Sequence, residues 1–178
     1  DLHSFPTRRS SDLHIDRDNI VFRPANEEAL NTEVSIEVRR SNNPVGYPQL
    51  LTRLQSATAA TPGRFDGYML HLPDSSTQAT LSRQFGFEWD TPLVTFNLSQ
   101  EVNTTDTFRL RLVATGTNPV NLQAFVERQN GASWVVIGQA TYDDASASRI
   151  QQPGSAGFGG YVENTYSFDN FTRVTLGN

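Results

Sequence analysis

Residues 108–142 read FRLRLVATGTNPVNLQAFVERQNGASWVVIGQATY, and the fold of the chain can be inferred outward from them. Apolar and polar side chains alternate along residues 108–114 and again along residues 120–127, which is the period of a β-strand. The turn cluster TGTNP separates these two segments. The pair Asn130-Gly131 then favours a tight hairpin, because a primed turn needs a positive φ at both central residues. With residues 134–142 as a third strand, the stretch predicts an antiparallel meander.

The alternation also assigns the side chains of the meander to two faces. The inward row consists of Phe108, Leu110, Leu112, Val120, Leu122, Ala124 and Val126. The outward row consists of Arg109, Arg111, Asn121, Gln123, Phe125 and Glu127. Similar strand patterns occupy residues 19–23, 33–39, 49–55, 66–72, 78–85, 93–98, 158–162 and 166–176, whereas residues 86–92 are expected to be irregular. Many short strands, with turn signals between them and no helical periodicity, predict an all-β sandwich or barrel.

The composition limits the possible partners. A chain of 178 residues suits one domain and can bury a core without covalent cross-links. It contains no cysteine, which excludes disulfides, thiolate zinc sites and a thiol nucleophile. The net charge of −5 argues against nucleic acid and against an anionic membrane surface as partners. Because no apolar segment is long enough to cross a bilayer, we expect no membrane insertion.

The start of the chain does not fit the pattern of the rest. Residues 3–13, HSFPTRRSSDL, resemble the in-frame translation of a common sequencing adapter. We therefore exclude residues 1–13 from the fold as a non-native tail, and we expect a single domain over residues 14–178 that is truncated at its N-terminus. An export signal would then lie upstream. We expect a secreted or cell-surface bacterial protein in which this domain is part of a larger multidomain chain.

Four segments follow one another along the chain: GYMLHL (67–72), residues 108–134 of the meander, RIQQPGSAGFGGYV (149–162) and YSFDNFTRV (166–174). This succession resembles the concanavalin A-like, laminin-G-like jelly-roll family, with one extra residue in FTRV. The resemblance implies an antiparallel β-sandwich of the lectin and glucanase type. The family includes glycan-binding lectins, accessory modules of secreted hydrolases, adhesive domains, and some glycosidases and lyases. The motifs indicate the fold more than the activity, and among these functions we predict a non-catalytic carbohydrate-binding or accessory domain. The alternatives are a structural or adhesive spacer and, less favoured, a glycoside hydrolase.

The outward row of the meander is the candidate site for a polysaccharide or glycan. A pyranose stacks its CH face on an aromatic ring, while its hydroxyls form hydrogen bonds with guanidinium and amide groups. The candidate residues are Arg109, Arg111, Asn121, Gln123 and Phe125 on the meander, with Tyr47 and Trp89 in loops as further aromatic platforms. The alternative is an ordinary surface on which Phe125 is covered by the loop at residues 86–92.

Residues 33–37, EVSIE, resemble the ExDxE strand of β-glucanases that share the jelly roll. There, one glutamate is the nucleophile and the other is the general acid, on one face of the strand. Here Ser35 takes the position of the central aspartate. Alternating glutamate and apolar residues are also typical of any exposed strand, and we predict that the domain is not an enzyme.

Asp169, in the segment FDNF, is the candidate metal ligand. Related jelly rolls use an aspartate near the closing strand, with carbonyl groups of the N-terminal strand, to bind a structural Ca²⁺. Calcium prefers six to eight hard oxygen ligands, and Asp16 and Asp18 could lie beside Asp169. The alternative is that Asp169 accepts a hydrogen bond from neighbouring backbone or pairs with an arginine.

The histidines form no pattern with the spacing of a metal site or a catalytic triad. His3 falls within the adapter-like segment, and His14 stands at the start of the domain. His71 is alone on a predicted strand, where we expect a surface residue.

Overall fold

The computed structural model describes residues 14–15, 20–22, 28–40, 48–55, 66–72, 77–85, 88–103, 106–160 and 166–177; for residues 14–15, 20–22, 40 and 88–91 it describes the backbone alone. The adapter-like residues 1–13 lie outside these ranges, as do Asp16, Asp18 and Tyr47. The strands in the described part are β1 (His14–Ile15), β2 (Ile20–Phe22), β3 (Thr32–Arg40), β4 (Pro48–Gln55), β5 (Asp66–His71), β6 (Gln78–Phe85), β7 (Glu88–Asn97), β8 (Thr107–Thr115), β9 (Val120–Asn130), β10 (Ser133–Asp144), β11 (Ser155–Gly160) and β12 (Tyr166–Thr175).

The strands form two antiparallel sheets that pack face to face. A seven-stranded sheet has the order β1-β2-β11-β4-β5-β6-β7, and a five-stranded sheet has the order β10-β9-β8-β3-β12. The predicted meander is present as β8, β9 and β10, which occupy one side of the five-stranded sheet. The all-β antiparallel sandwich is therefore confirmed. Within the described ranges, no helix is long and apolar enough to cross a membrane.

The core lies between the sheets and consists of the inward rows that alternation predicts. All seven inward residues of the meander are buried. They pack in one cluster with Val34, Ile36 and Val38 of β3 and with side chains of the opposite sheet such as Leu50 and Leu70. Burying each side chain of this size contributes roughly 1.5–3 kcal/mol, so the two inner faces hold the sheets together.

Strand β4 differs from a simple alternating strand, since both of its faces are buried. Leu50 belongs to the main core, whereas Leu51 and Leu54 form a second small cluster with Met69. The register with β5 shifts between Thr52 and Gln55, so Leu51 and Leu54 share a cluster despite their odd spacing. This bulge explains why the sequence pattern of residues 49–55 left the orientation of the strand open.

The shifted register also brings a buried cation into the sandwich. Arg53 has a left-handed φ of 51° and is fully buried. Its guanidinium donates to three carbonyl groups, those of Leu30 (Nε, 3.0 Å), Gly116 (Nη2, 2.6 Å) and Ile150 (Nη1, 2.8 Å). These carbonyls belong to three connections that are distant in sequence. Arg53 therefore joins the β8–β9 turn, the segment before β3 and the segment after β10 to the seven-stranded sheet.

A second buried polar group joins the two sheets. The Tyr68 hydroxyl in β5 donates to the Asp144 carboxylate at the end of β10 (2.8 Å) and accepts from the backbone amide of Ile150 (3.0 Å). Arg83 and Ser146 also donate to Asp144. Burial by itself raises the pKa of Asp144, but the hydrogen bonds from Ser146, Tyr68 and Arg83 outweigh it and lower that pKa. Asp144 is therefore held as a carboxylate inside the sandwich.

Two boundaries differ from the sequence prediction. Strand β7 begins at Glu88, so residues 88–92 are paired with β6 and are not a loop. The register of this pair shifts at two places between Leu81 and Gln84, which accounts for the irregular sequence pattern. Strand β11 begins at Ser155, because its small residues pack between β2 and β4, where a pattern of large apolar residues is not required.

His71 lies on the outer side of β5, between Gln49 of β4 and Thr80 of β6. The expected surface position is only partly observed, since the ring is half-buried and its Nδ1 atom is shielded from solvent. Burial disfavours the charged imidazolium and lowers the pKa of His71 from 6.5 to about 4.

Lowering the pH from about 6.5 to about 4 should reduce stability through His71, because the unfolded histidine binds a proton in this range and the folded one does not. The contribution is fully present above pH 6.5, and below pH 4 this group causes no further loss. In His71→Gln, the loss over that range should be smaller by on the order of 2–3 kcal/mol. Urea unfolding of both proteins at a series of pH values measures the difference. Parallel pH profiles would contradict the assignment.

Candidate functional site

Strand pairing sets the predicted arginines beside the glutamates of β3 on the outer face of the five-stranded sheet. Arg109 lies opposite Glu37, and Arg111 lies opposite Ser35. On the other side of β8, Glu127 of β9 lies opposite Arg109. Directly opposed residues in an antiparallel pair project to the same face. The strands β3, β8 and β9 therefore gather charged side chains of both signs on one surface.

Glu127 is the centre of this arrangement. Sequence alternation placed it on the outward face, but its side chain is only 6% exposed, against 26% for Arg109 and 23% for Arg111. Arg109 donates from Nε to one carboxylate oxygen, and Arg111 donates from Nε (3.2 Å) and Nη2 (3.1 Å) to the other. Each oxygen of Glu127 thus orients one arginine. Charge-assisted hydrogen bonds of this kind restrict the guanidinium groups to defined positions.

Two aromatic rings contact the guanidinium groups of these arginines. The guanidinium carbon of Arg111 lies 3.8 Å from the centroid of Phe125, and that of Arg109 lies 4.7 Å from the centroid of Trp134. Both distances are within the range of cation–π attraction. One face of Phe125 is therefore covered by Arg111. The sequence alternatives were a sugar platform with Arg111 beside the ring and a loop that covers the ring, and neither placed the guanidinium of Arg111 on the face of Phe125.

A groove of about 400 Å³ opens beside the arginines on this face. We call it the outer groove. It is lined by Glu33, Ser35, Glu37, Arg109, Arg111, Glu127, Asn170 and Thr172. Its volume is within the range of roughly 300–1,000 Å³ that is typical of small-ligand sites. All eight lining side chains are polar or charged, so the groove is suited to a ligand that forms many hydrogen bonds.

Strand β12 forms one side of the outer groove, at the point where its pairing with β3 is irregular. The register with β3 shifts between Asp169 and Thr172, and the bulge accommodates the extra residue of the segment FTRV. Asn170 takes a left-handed φ of 50°, and its backbone amide donates to Asp169 Oδ1 (2.8 Å). Its side-chain amide donates to Glu37 (2.8 Å). The bulge therefore places the side chain of Asn170 within hydrogen-bonding distance of the Glu37 carboxylate.

Of the residues predicted from sequence for glycan binding, Arg109 and Arg111 line the outer groove. Phe125 is outside the groove lining, and its ring contacts the guanidinium of Arg111. Gln123 is exposed on the same face, opposite Val113, beyond the groove lining. Trp89 lies in β7 with its side chain outside the described part, and Tyr47 is outside that part altogether. The assignments of these residues to a sugar site stay predictions.

The groove also contains residues that were not selected as site residues from the sequence. Ser35 and Thr172 share a hydrogen bond of 2.7 Å across β3 and β12, and Asn170 reaches Glu37 across the same pair. The only available signal was alternation, which places Ser35 on the face of Glu33 and Glu37. No local pattern indicates that β12 lies next to β3.

Asp169 is exposed and accepts the backbone hydrogen bond from Asn170, which is one of the alternatives considered for it. Within the described ranges, no group of three or more histidine, cysteine, aspartate or glutamate side chains could hold a metal ion. Asp16 and Asp18, the expected companions of Asp169, lie outside those ranges. A structural Ca²⁺ at Asp169 stays a prediction.

Three solved structures share the fold of this chain. A family-66 carbohydrate-binding module from Bacillus subtilis matches with a TM-score of 0.60 and 12% identity, over 92% of this chain and 91% of that one. Sheep galectin-11 matches with a TM-score of 0.53 and 10% identity, over 90% and 100%. A PL-14 alginate lyase from Aplysia kurodai matches with a TM-score of 0.54 and 9% identity, over 88% and 82%. No protein-family model and no curated protein matches the sequence. The chain has the concanavalin A-like jelly-roll fold, as the sequence resemblance predicted.

Proposed function

We propose that this jelly-roll domain is a non-catalytic carbohydrate-binding or accessory domain whose ligand binds in the outer groove. The observation that carries the proposal is the pair of arginines whose positions are set by one buried carboxylate, Glu127, in a groove lined by polar and charged residues. The fold is shared by a carbohydrate-binding module and a galectin, which supports a sugar as the ligand. As in the sequence analysis, we expect the domain to serve a secreted or cell-surface protein.

The chemistry of the groove suits sugar hydroxyls. Glu127 accepts from Nε of both arginines and from Nη2 of Arg111, so among the described residues the Nη groups of Arg109 and Nη1 of Arg111 are left as donors for a ligand. Glu33 and Glu37 supply acceptor oxygens on the same surface. A hydroxyl both donates and accepts, whereas a guanidinium only donates and a carboxylate only accepts. Neighbouring hydroxyls of a sugar can therefore bridge the two kinds of group.

Arg111→Ala should lower affinity for a bound glycan at least tenfold, which corresponds to about 1.4 kcal/mol. The substitution removes a side chain that donates hydrogen bonds in the groove, and this same side chain pairs with Glu127 and lies on the ring of Phe125. The wild type should bind one or more members of a polysaccharide panel with a dissociation constant of roughly micromolar to millimolar. Calorimetry and affinity electrophoresis measure both proteins.

Arg39→Ala is the matched control, since Arg39 is an exposed arginine of β3 outside the groove lining. Its affinity should equal that of the wild type. Absence of binding to a broad panel would overturn the proposal and favour a structural or adhesive spacer. Equal losses in both variants would show that general surface charge, and not the groove, attracts the glycan.

Hydrolysis is the second candidate function, because Glu33 and Glu37 line the same groove. Residues i and i+4 of a strand are about 13 Å apart at Cα, so both side chains must lean inward to reach the roughly 5–9.5 Å between the carboxyl groups of glycosidases. Glu33 does approach the centre, since one of its oxygens lies 3.8 Å from Nη1 of Arg111. Release of reducing ends from a β-glucan that is lost in both Glu33→Gln and Glu37→Gln would establish an enzyme.

A further inference from the structure

We infer that the outer groove selects neutral, hydroxyl-rich glycans and excludes glycans that carry carboxylate or sulfate groups. This inference rests on the proposed function and specifies the class of its ligand. It is drawn from the charges of the groove and from the way in which they are paired.

The arginines of the groove are already neutralised by the protein. The lining contains two arginines and three glutamates, which gives a formal net charge of −1. Glu127 accepts hydrogen bonds from both arginines, and Glu33 lies 3.8 Å from Arg111. An anionic sugar would therefore have to compete with these carboxylates for the same guanidinium groups. The whole chain has a net charge of −5, which adds repulsion at longer range.

The two most accessible acids flank the donors. Glu33 and Glu37 stand on β3 on either side of Ser35, which lies directly opposite Arg111. The Glu33 side chain is 37% exposed, so its carboxylate faces any ligand that approaches Arg111. Glu37 accepts a hydrogen bond from Asn170 in the bulge of β12, and both residues line the groove. A ligand that reaches Arg109 or Arg111 thus comes close to at least one negative charge.

A hydroxyl and a carboxylate meet this surface in different ways. A sugar hydroxyl can accept from Arg111 while it donates to Glu33, and such chains of hydrogen bonds strengthen one another. A uronate carboxylate or a sulfate can only accept, so it gains nothing from Glu33 or Glu37 and is repelled by both. The alternation of donors and acceptors along the groove therefore favours sugars whose only polar groups are hydroxyls and ring oxygens.

The test uses pairs of oligosaccharides of equal length whose sugar units differ at one carbon each. Manno-oligosaccharides are compared with oligomannuronates, galacto-oligosaccharides with oligogalacturonates, and gluco-oligosaccharides with oligoglucuronates, and each neutral oligosaccharide has the linkage positions and the anomeric configuration of its uronate. Each pair differs only in carrying a hydroxymethyl or a carboxylate group at the sixth carbon. In the pair that the wild type recognises, the neutral member should bind at least tenfold more tightly by calorimetry, and its affinity should not change with salt.

The double variant Glu33→Gln/Glu37→Gln changes the groove charge from −1 to +1 while the side chains keep their size. It should bind the uronate of that pair at least tenfold more tightly than the wild type does, and added salt should weaken this binding. The control is Glu28→Gln/Asp143→Asn, which changes the net charge by the same amount at two exposed sites outside the groove lining. It should leave the preference of the wild type unaltered.

The outcomes separate this inference from the proposed function. If the wild type binds no member of any pair and no other glycan, the proposed function fails and the inference fails with it. If the wild type binds a uronate as tightly as its neutral partner, the domain binds sugars but the inference is wrong. If the control variant gains uronate binding as strongly as the groove variant, the selection comes from the whole surface and the inference is also wrong.

Discussion

Replacing Arg53 with alanine is expected to destabilise the domain by about 3–5 kcal/mol, because it removes three hydrogen bonds of one buried cation at once. The side chain is fully buried and donates to the carbonyl groups of Leu30, Gly116 and Ile150. The alanine variant leaves these carbonyls without their donor, and an unsatisfied buried acceptor costs about 1–3 kcal/mol. This cost applies in full to the buried bond to Ile150 and in part to the bonds to Leu30 and Gly116, which are only partly buried. Partial relaxation and entry of water offset some of this loss. Chemical unfolding with urea measures the change in the free energy of unfolding.

Arg149→Ala is the matched control for Arg53. Arg149 also donates to two loop carbonyls, those of Thr117 (2.9 Å) and Ser146 (2.7 Å), but it is only half-buried. Water can replace its hydrogen bonds, and the expected cost is about 1 kcal/mol. If Arg53→Ala does not fold, Arg53→Lys serves in its place. It keeps the charge but cannot reach three carbonyls in a planar fork, so it should still be less stable than Arg149→Ala. If substitutions at Arg53 and at Arg149 lower the free energy of unfolding equally, Arg53 does not link the three connecting segments to the sheet as described.

Glu127→Gln is expected to have the largest effect on ligand binding, with a loss of affinity of at least thirtyfold, or about 2 kcal/mol. The carboxylate is the shared acceptor of Arg109 and Arg111, with one oxygen for each. A glutamine amide has a single acceptor oxygen and no charge, so one guanidinium faces an NH2 group and both lose the negative charge that holds them. Arg111→Ala removes one of them and should have the smaller effect. Because the two arginines are partly exposed, they regain water, and the loss of stability should stay near 1–2 kcal/mol. Calorimetry with the glycan that the wild type binds, together with thermal unfolding, measures both quantities.

Asp143→Asn is the control for Glu127→Gln. It is the same change from acid to amide on the outer face of the same sheet, opposite Asn121, but at an exposed position outside the groove lining. It should alter neither affinity nor stability. Full retention of binding by a folded Glu127→Gln protein would show that the arginines are held without Glu127, and the site would then have to lie elsewhere.

The role expected for Phe125 differs between the sequence and the structure. From the sequence, an exposed phenylalanine between polar residues predicted a stacking platform for a sugar ring. The structure places the guanidinium of Arg111 over one face of that ring, at 3.8 Å from its centroid. In the proposed site, Phe125 therefore acts on the ligand through Arg111. We therefore expect hydrogen bonds from the arginines, and not stacking on Phe125, to supply most of the affinity of the proposed site.

Much of the fold was predictable because strand periodicity is a local property. The alternation in residues 108–114 and 120–127 assigned seven side chains to the inward row, and all seven are buried. The same rule placed Arg109, Arg111 and the acids of residues 33–37 on outward faces, and that outer surface carries the groove. Turn signals separated the strands, so the all-β sandwich followed. Small residues or bulges interrupt the alternation in β4, β7 and β11. There the sequence did not predict which face of the strand points to the core, as in β4, or where the strand begins, as in β7 and β11.

What the sequence could not determine is which outward residues meet, and how deeply they are buried. Ser35 and Thr172 are 137 residues apart along the chain, and Glu37 and Asn170 are 133 apart, yet each pair forms a hydrogen bond in the groove. Such contacts depend on the order of strands in the sheet and on a register that the bulge of β12 shifts, and neither is encoded in a local pattern. Glu127 shows the same limit. Alternation directs its side chain outward, but only the packing of two arginines over it removes it from water, because burial is set by the neighbours that the tertiary fold supplies.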